Sequence, residues 1–178
     1  TLIVCNGFKT KIYTQRISKL ANLDFNIMPV LDNMEELEAY ENTIIYDCDL
    51  GIRIASEEQP EFQLYTSRLG IRYKEIKDFY LNKIKPNPKF KLKMLHFFIN
   101  SGIKDNIYYW NELSKLLKVY VELKRVCPEL DSLNIGGGWP FRSSLGFEYD
   151  YAYMAEEILN KIKQTCEEEN VSCPNIFT

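Results

Sequence analysis

Three consecutive glycines, Gly136–Gly138, directly follow a short apolar run and are the first candidate for chemistry in the sequence. Glycine loses the most backbone entropy on folding, so a triplet indicates a turn that needs positive φ or a close approach to the backbone. Successive N–H groups in such a turn form a concavity that binds anions. The triplet is neither a P-loop nor a G-x-G-x-x-G pattern. It therefore indicates either a phosphate-binding turn or a tight turn without a ligand.

Polar and aromatic residues at the ends of other apolar runs are the next candidates. Arg53 interrupts one run, and a charge there is costly unless it is paired or contacts an anionic ligand. His96 and Phe98 alternate along another run and so share a face, and the hydroxyl of Ser101 follows as a further phosphate donor. On spacing alone, a lone histidine is more often a satisfied core residue than a catalytic one. Trp139 is expected to pack rather than to stack on a ligand.

Strand-like and helix-like stretches alternate along the chain, which predicts a parallel α/β sheet with right-handed crossovers. In such a sheet, ligands bind at the carboxyl ends of the strands, where the candidate residues fall. Asp32 or Asn33 is the expected N-cap of the second helix, and Tyr151 is expected to begin the apolar stripe of the last one. The predicted strands are 2–5, 25–31, 50–56, 93–102, 130–135 and 174–178, and the predicted helices are 10–23, 32–40, the later part of 67–84, 104–126 and 149–170.

Two architectures are compatible with this alternation. One is an open doubly wound sheet that is complete in 178 residues. The other is a (β/α)8 barrel, which needs about 250 residues and would here be incomplete. Because the chain begins and ends inside a strand, we expect a partial barrel, with residues 1–178 forming a single α/β domain.

The composition argues against several classes of function. A net charge of -3 does not suggest a nucleic-acid-binding protein, which usually has a basic surplus. No stretch approaches the roughly 18 apolar residues of a membrane span. Five cysteines without a C-x-x-C pair, and a single histidine, give no metal-ligand spacing. We therefore expect reduced thiols, a cytoplasmic protein and no metal site.

Seven segments in order along the chain resemble the pyridoxal-phosphate-dependent amino-acid decarboxylases with an alanine-racemase-like barrel, and among these the arginine-specific branch is the nearest likeness. The resemblance covers nearly the whole chain. The segments are IVCNGFK at 3–9, GIRIAS at 51–56, SRLGI at 67–71, LHFFINSGI at 95–103, YVELKRV at 120–126, LNIGGGWP at 133–140 and the stretch at 148–178.

The resemblance implies a role for each candidate residue. In the family a glycine loop and a serine hold the cofactor phosphate, which assigns Gly136–Gly138 and Ser101 to that task. Arg53 matches an arginine on a barrel strand that points into the active site. His96 stands where arginine-specific members also have a histidine. Phe98 departs from the family, because it occupies the place of a histidine that stacks on the cofactor ring.

The resemblance also implies what the chain lacks. The lysine that binds pyridoxal phosphate would precede Thr1, and the acidic partner of the pyridine nitrogen would follow Thr178. A further β-domain would also lie outside, so the chain would be barrel strands three to eight, without a catalytic residue and inactive alone. The parent enzyme would convert L-arginine to agmatine and CO2 in polyamine biosynthesis, as a homodimer or larger homo-oligomer. Mg2+ is suggested only by family analogy.

A second hypothesis stays open at this stage. A self-contained, doubly wound α/β domain could bind a phosphorylated ligand through the glycine turn without catalysis. Within the decarboxylases, ornithine or diaminopimelate as the substrate is not excluded, because the residues that read the substrate side chain largely lie outside these segments.

Overall fold

The structure is a computed structural model, and it describes residues 1–56, 69–99, 102–141 and 148–178. The strands are β1 Ile3–Cys5, β2 Ile27–Leu31, β3 Cys48–Arg53, β4 Phe90–His96, β5 Ser132–Asn134 and β6 Asn175–Phe177. The helices between them are α1 Lys11–Ala21, α2 Glu35–Glu41, α3 Tyr73–Phe79, α4 Ile107–Lys124 and α5 Tyr151–Glu168.

The six strands form one parallel sheet in the order β1-β2-β3-β4-β5-β6. A doubly wound sheet reverses its strand order at a switch point, whereas a barrel adds each strand beside the previous one. The observed order is therefore that of a partial (β/α)8 barrel, as the sequence predicts. All carboxyl ends of the strands lie at one edge of the curled sheet.

The two faces of the sheet have different packing. The outer face and the helices form the large hydrophobic core, which includes Leu31, Ile52 and Leu95. The inner face carries a smaller cluster built on Val30 and Met94. Gly51 lies between these two, since a Cβ at this position would be 2.8 Å from Cγ2 of Val30. Side chains alternate along a strand, so the residues two positions onward continue the inner face at its carboxyl edge.

The helices begin at polar caps. Side chains of Thr10, Asn106 and Asp150 accept hydrogen bonds from backbone N–H groups in the first turns of α1, α4 and α5. Of the two caps expected for α2, Asn33 rather than Asp32 binds the first turn: the helix begins at Glu35, and Asn33 Oδ1 accepts from the N–H of Glu36 at 2.9 Å. The Asp32 side chain does not cap the helix and lies on the inner face of the sheet.

The apolar stripes of α4 and α5 are buried at most of the positions predicted from spacing. Leu113, Leu117 and Tyr120 of α4 are buried, as are Met154 and the later stripe positions of α5. Tyr151 does not belong to the α5 stripe, because its side chain is exposed and its hydroxyl donates to the carbonyl of Pro140.

A π-helical turn, Tyr80–Ile84, continues α3 where a regular α-helix was expected. None of the helices described here is long and apolar enough to span a membrane.

Candidate functional site

The glycine turn after β5 is shaped by the backbone that follows β4. Gly136 and Gly138 have φ values of +74° and +88°, a region that disfavours other residues. A Cβ at Gly136 would be 2.8 Å from the carbonyl oxygen of Phe97, and one at Gly138 would be 2.9 Å from Cα of Gly102. Close approach of the backbone that follows β4 therefore explains why two of the three positions are glycine.

Gly137 differs from its neighbours. Its φ is not in the left-handed region, and a Cβ there would meet no atom within 4 Å. Among the residues that the structure describes, the N–H groups of Gly137 and Gly138 have no hydrogen-bond acceptor. The turn therefore offers two N–H donors and open space, which is the chemistry of an anion cradle.

Asn134 holds this turn against the sheet. Its Oδ1 accepts from the N–H of Gly136 at 2.9 Å, and its carbonyl oxygen accepts from the N–H of Phe97 at 3.1 Å. The same carbonyl lies 3.3 Å from Nδ1 of His96. Asn134 thus binds the glycine turn through its side chain and the end of β4 through its carbonyl oxygen.

His96 is buried and uncharged at neutral pH. Burial, with a smaller contribution from the positive charge of Arg53, lowers its pKa to about 4. A carbonyl oxygen can only accept, so the contact with Asn134 assigns the proton to Nδ1. Nε2 is consequently the acceptor nitrogen of the neutral ring.

Arg53 ends β3 on the same inner face. Its guanidinium carbon lies 5.7 Å from the centroid of the Phe98 ring, a cation–π distance. A Cβ at Gly136 would be 3.5 Å from Cδ2 of Phe98, so this ring lies between the glycine turn and the arginine. Within the described parts of the chain, the guanidinium donates no hydrogen bond, although the Arg53 side chain is only 12% exposed.

Asp32 faces Arg53 from the end of β2. Its side chain is fully buried, and its Oδ1 lies 3.8 Å from a guanidinium nitrogen of Arg53. Neither carboxylate oxygen has a hydrogen-bond partner among the residues described. Buried polar groups are nearly always satisfied, and the exceptions tend to mark strained or functional positions.

Lys9 explains why Asp32 is left without a hydrogen bond. The buried ammonium donates to the carbonyl oxygens of Gly7 and Val30 and lies 3.2 Å from Glu36 Oε2. Two of these contacts are hydrogen bonds, and the third is an ion pair with Glu36. Asp32 Oδ2, at 3.9 Å, receives only electrostatic stabilisation.

Glu36 completes this buried group of charges. Its Oε2 also accepts from the N–H of Asp32 at 3.0 Å. Burial raises the pKa of Glu36, while Lys9 and the N–H of Asp32 act in the opposite direction.

The residues predicted from sequence come together in part. Arg53, His96, Phe98 and the glycines converge at the carboxyl edge of the sheet, while Ser101 lies outside the described residues. Trp139 packs on aromatic neighbours, as expected. In the described residues, no cluster of His, Cys, Asp or Glu side chains is arranged to hold a metal ion.

Lys9, Asp32 and Glu36 received no role in a binding site from the sequence, and Asp32 was expected only as a helix N-cap. Asp32 and Lys9 do follow β2 and β1, where ligands bind, and that position was the available signal. For Glu36, an acid in the first turn of a helix is explained by the helix dipole alone, so nothing in the pattern indicated a buried side chain.

Residues 1–177 match the family model of the pyridoxal-dependent decarboxylases, pyridoxal-binding domain. The biosynthetic arginine decarboxylase of Citrifermentans bemidjiense is 27% identical over an alignment of 199 residues, which covers 99% of this chain and 30% of that protein. The chain thus spans about 30% of the length of the curated relatives it matches.

Solved structures of decarboxylases share the fold. The biosynthetic arginine decarboxylase of Campylobacter jejuni superposes with a TM-score of 0.77 at 23% identity, covering 98% of this chain and 30% of that one. The lysine decarboxylase of Selenomonas ruminantium gives a TM-score of 0.75 at 18% identity, covering 99% and 43%. With the family match across almost the whole chain, these findings show that this chain belongs to the pyridoxal-dependent decarboxylases and corresponds to their pyridoxal-binding domain.

Proposed function

We propose that residues 1–178 are strands three to eight of the cofactor barrel of a decarboxylase that converts L-arginine to agmatine and CO2. The observation that carries the proposal is the open turn at Gly137, with N–H donors and no side chain, in a chain of the pyridoxal-binding family. A phosphate needs several N–H donors and room for its oxygens, and this turn supplies both. The residues present therefore fit pyridoxal phosphate.

Gly136–Gly138 hold the phosphate in this proposal, and Ser101 adds its hydroxyl. Gly137 contributes space and an N–H donor, while Gly136 and Gly138 let the turn lie close to the chain after β4. Asn134 fixes the direction of the turn through the N–H of Gly136. The phosphate is thus bound mainly by backbone groups, whose positions depend on the sheet.

Arg53 and His96 set the polarity beside the cofactor. Pyridoxal phosphate, when bound, supplies the electron sink that accepts the electron pair released as the carboxylate leaves as CO2. The guanidinium of Arg53 has N–H donors available for an acceptor atom of the bound ligand, and Asp32 keeps it oriented by charge. Neutral His96 accepts through Nε2, and the ring of Phe98 offers an apolar surface in place of a second histidine.

The arginine substrate is supported by the curated relatives named biosynthetic arginine decarboxylase, at 24–29% identity. The whole enzyme is proposed to be a homodimer or larger homo-oligomer that serves polyamine biosynthesis. The resemblance assigns the cofactor lysine, the acid beside the pyridine nitrogen and the β-domain to positions outside residues 1–178. We therefore propose that these residues alone do not catalyse decarboxylation.

A direct test uses the full-length gene product, incubated with pyridoxal phosphate and reduced with borohydride before intact mass spectrometry. We expect one phosphopyridoxyl adduct per chain, together with agmatine formation from L-arginine. L-Ornithine, L-lysine and meso-diaminopimelate serve as competing substrates in the same assay. An adduct with faster turnover of one of these would keep the cofactor assignment and overturn arginine. Absence of both adduct and turnover would instead support a domain that binds a phosphorylated ligand without catalysis.

A further inference from the structure

The glycine turn is fastened to the segment that precedes α4. The N–H of Ile103 donates to the carbonyl oxygen of Gly138 at 3.1 Å. Gly102 and Gly138 approach so closely that neither position has room for a Cβ. A displacement of the turn after β5 would therefore also displace the segment after β4.

Tyr149 contacts the other backbone group of Ile103, its carbonyl. Its hydroxyl donates to the carbonyl oxygen of Ile103 at 3.1 Å, so the backbone of Ile103 is fixed both at its N–H and at its carbonyl group. Ile103 itself is 1% exposed, which leaves it little freedom to shift. Tyr149 lies just before α5, far along the chain from Ile103, so this contact is long-range.

Aromatic neighbours fix the orientation of the Tyr149 ring. Trp139 meets it edge to face at 6.4 Å between centroids, and Tyr151 does so at 4.8 Å. Nε1 of Trp139 donates to Oγ1 of Thr178 at 2.9 Å, which ties this group to the end of β6. Burial raises the pKa of Tyr149, so its hydroxyl keeps the proton it donates.

We propose that Tyr149 is a positioning residue for the phosphate-binding turn. By holding Ile103, it holds Gly138 and thereby the N–H groups that face the phosphate. This inference rests on the proposed function, because it requires that the turn binds the phosphate of pyridoxal phosphate. It assigns Tyr149 no contact with the cofactor and no part in the chemistry.

The test compares pyridoxal phosphate with pyridoxal, which lacks the phosphate, as ligands of the full-length gene product. Tyr149→Phe removes the hydroxyl and keeps the ring. Because one hydrogen bond is lost, we expect the Kd for pyridoxal phosphate to rise about 3- to 10-fold. The Kd for pyridoxal should stay within about 2-fold, since the hydrogen bond acts on the phosphate site alone.

Tyr153→Phe is the matched control, because Tyr153 lies four residues further along, in the first turn of α5, with an exposed side chain. We expect it to leave both Kd values unchanged. Hydrogen exchange of the free protein is a second readout, and Tyr149→Phe should speed exchange of the Ile103 amide.

Equal weakening of both ligands, or no change for pyridoxal phosphate, would overturn the positioning role. A wild-type protein that binds the two ligands equally would overturn the phosphate assignment itself, and the inference with it. The wild-type and variant measurements thus separate the two failures.

Discussion

Arg53 and Asp32 face each other across 3.8 Å on the inner face of the sheet, and neither side chain makes a hydrogen bond within the described residues. The two charges are held together by Coulomb attraction alone. Lys9 supplies no hydrogen bond to Asp32, because its ammonium donates to Gly7 and Val30, pairs with Glu36 and stays 3.9 Å from Asp32 Oδ2. This arrangement leaves donors on the arginine and acceptors on the aspartate without hydrogen bonds, among the residues described, near the carboxyl edge of the sheet.

The first prediction concerns the coupling of this pair. Arg53→Met leaves the Asp32 carboxylate buried with only Lys9 nearby, and should lower the free energy of unfolding by about 2 to 3 kcal/mol. Asp32→Asn in the same background should restore part of that loss. A double-mutant cycle, measured by urea unfolding of the full-length protein, gives the coupling free energy. Strictly additive losses would show that the two groups do not interact.

The second prediction separates the three glycines. Gly137→Ala should leave the melting temperature nearly unchanged, because the added methyl meets no atom within 4 Å. It should raise the Kd for pyridoxal phosphate at least about 10-fold by occupying the space of the phosphate. Gly138→Ala should instead destabilise the fold by about 1 to 3 kcal/mol, because of its φ of +88° and its contact with Gly102. Unaltered cofactor binding by Gly137→Ala would place the phosphate elsewhere.

The third prediction concerns pH. The native state binds a proton at His96 only near pH 4, whereas the unfolded chain does so near its ordinary pKa of 6.5. The unfolded state therefore holds more protons between these values, and stability falls as the pH is lowered through this window. Titration of His96 should therefore lower the free energy of unfolding by about 3 kcal/mol as the pH falls through this window.

His96→Gln isolates this contribution. The difference in unfolding free energy between wild type and variant, measured from pH 7 to pH 4.5, should change in favour of the variant as the pH falls. Burial raises the pKa of Glu36, which acts in the opposite direction, and that contribution cancels in the comparison. Parallel pH curves for the two proteins would contradict a buried, neutral His96.

The fourth prediction concerns the buried ammonium. Lys9→Met leaves Glu36 without its nearest cation and leaves Asp32 paired with Arg53 alone, and should cost about 3 to 5 kcal/mol of stability. Adding Glu36→Gln removes the carboxylate that has lost its cation and should recover part of the loss, as measured by thermal unfolding. A double variant no more stable than Lys9→Met would mean that the lysine acts through its backbone acceptors, Gly7 and Val30, rather than through Glu36.

Sequence reasoning predicted the order of the elements and the edge where the candidate site lies. Continuous apolar runs alternating with helical periodicity are enough for a parallel sheet, and the carboxyl ends then bring Arg53, His96 and the glycines together. The sequence left the function of the glycine triplet ambiguous, because the three glycines have different structural roles. Gly136 and Gly138 lie against the backbone that follows β4, and of the three only Gly137 faces open space.

The buried charges could not be predicted because they depend on distances between strands. Lys9, Asp32 and Glu36 look like ordinary loop and helix-start residues, and they become a buried group only where the ends of β1 and β2 meet the start of α2. Tyr151 was placed in an apolar stripe by helical spacing alone. Its side chain is exposed because Tyr151 is the first residue of α5 and precedes the residues of the helix that pack on the core.

The most direct test of the account is a crystal structure of the full-length gene product grown with saturating pyridoxal phosphate. We predict that the cofactor phosphate accepts hydrogen bonds from the N–H groups of Gly137 and Gly138, with the ring on the inner face near Arg53. A phosphate bound at another position, or no cofactor at this edge of the sheet, would contradict the proposed role of the glycine turn.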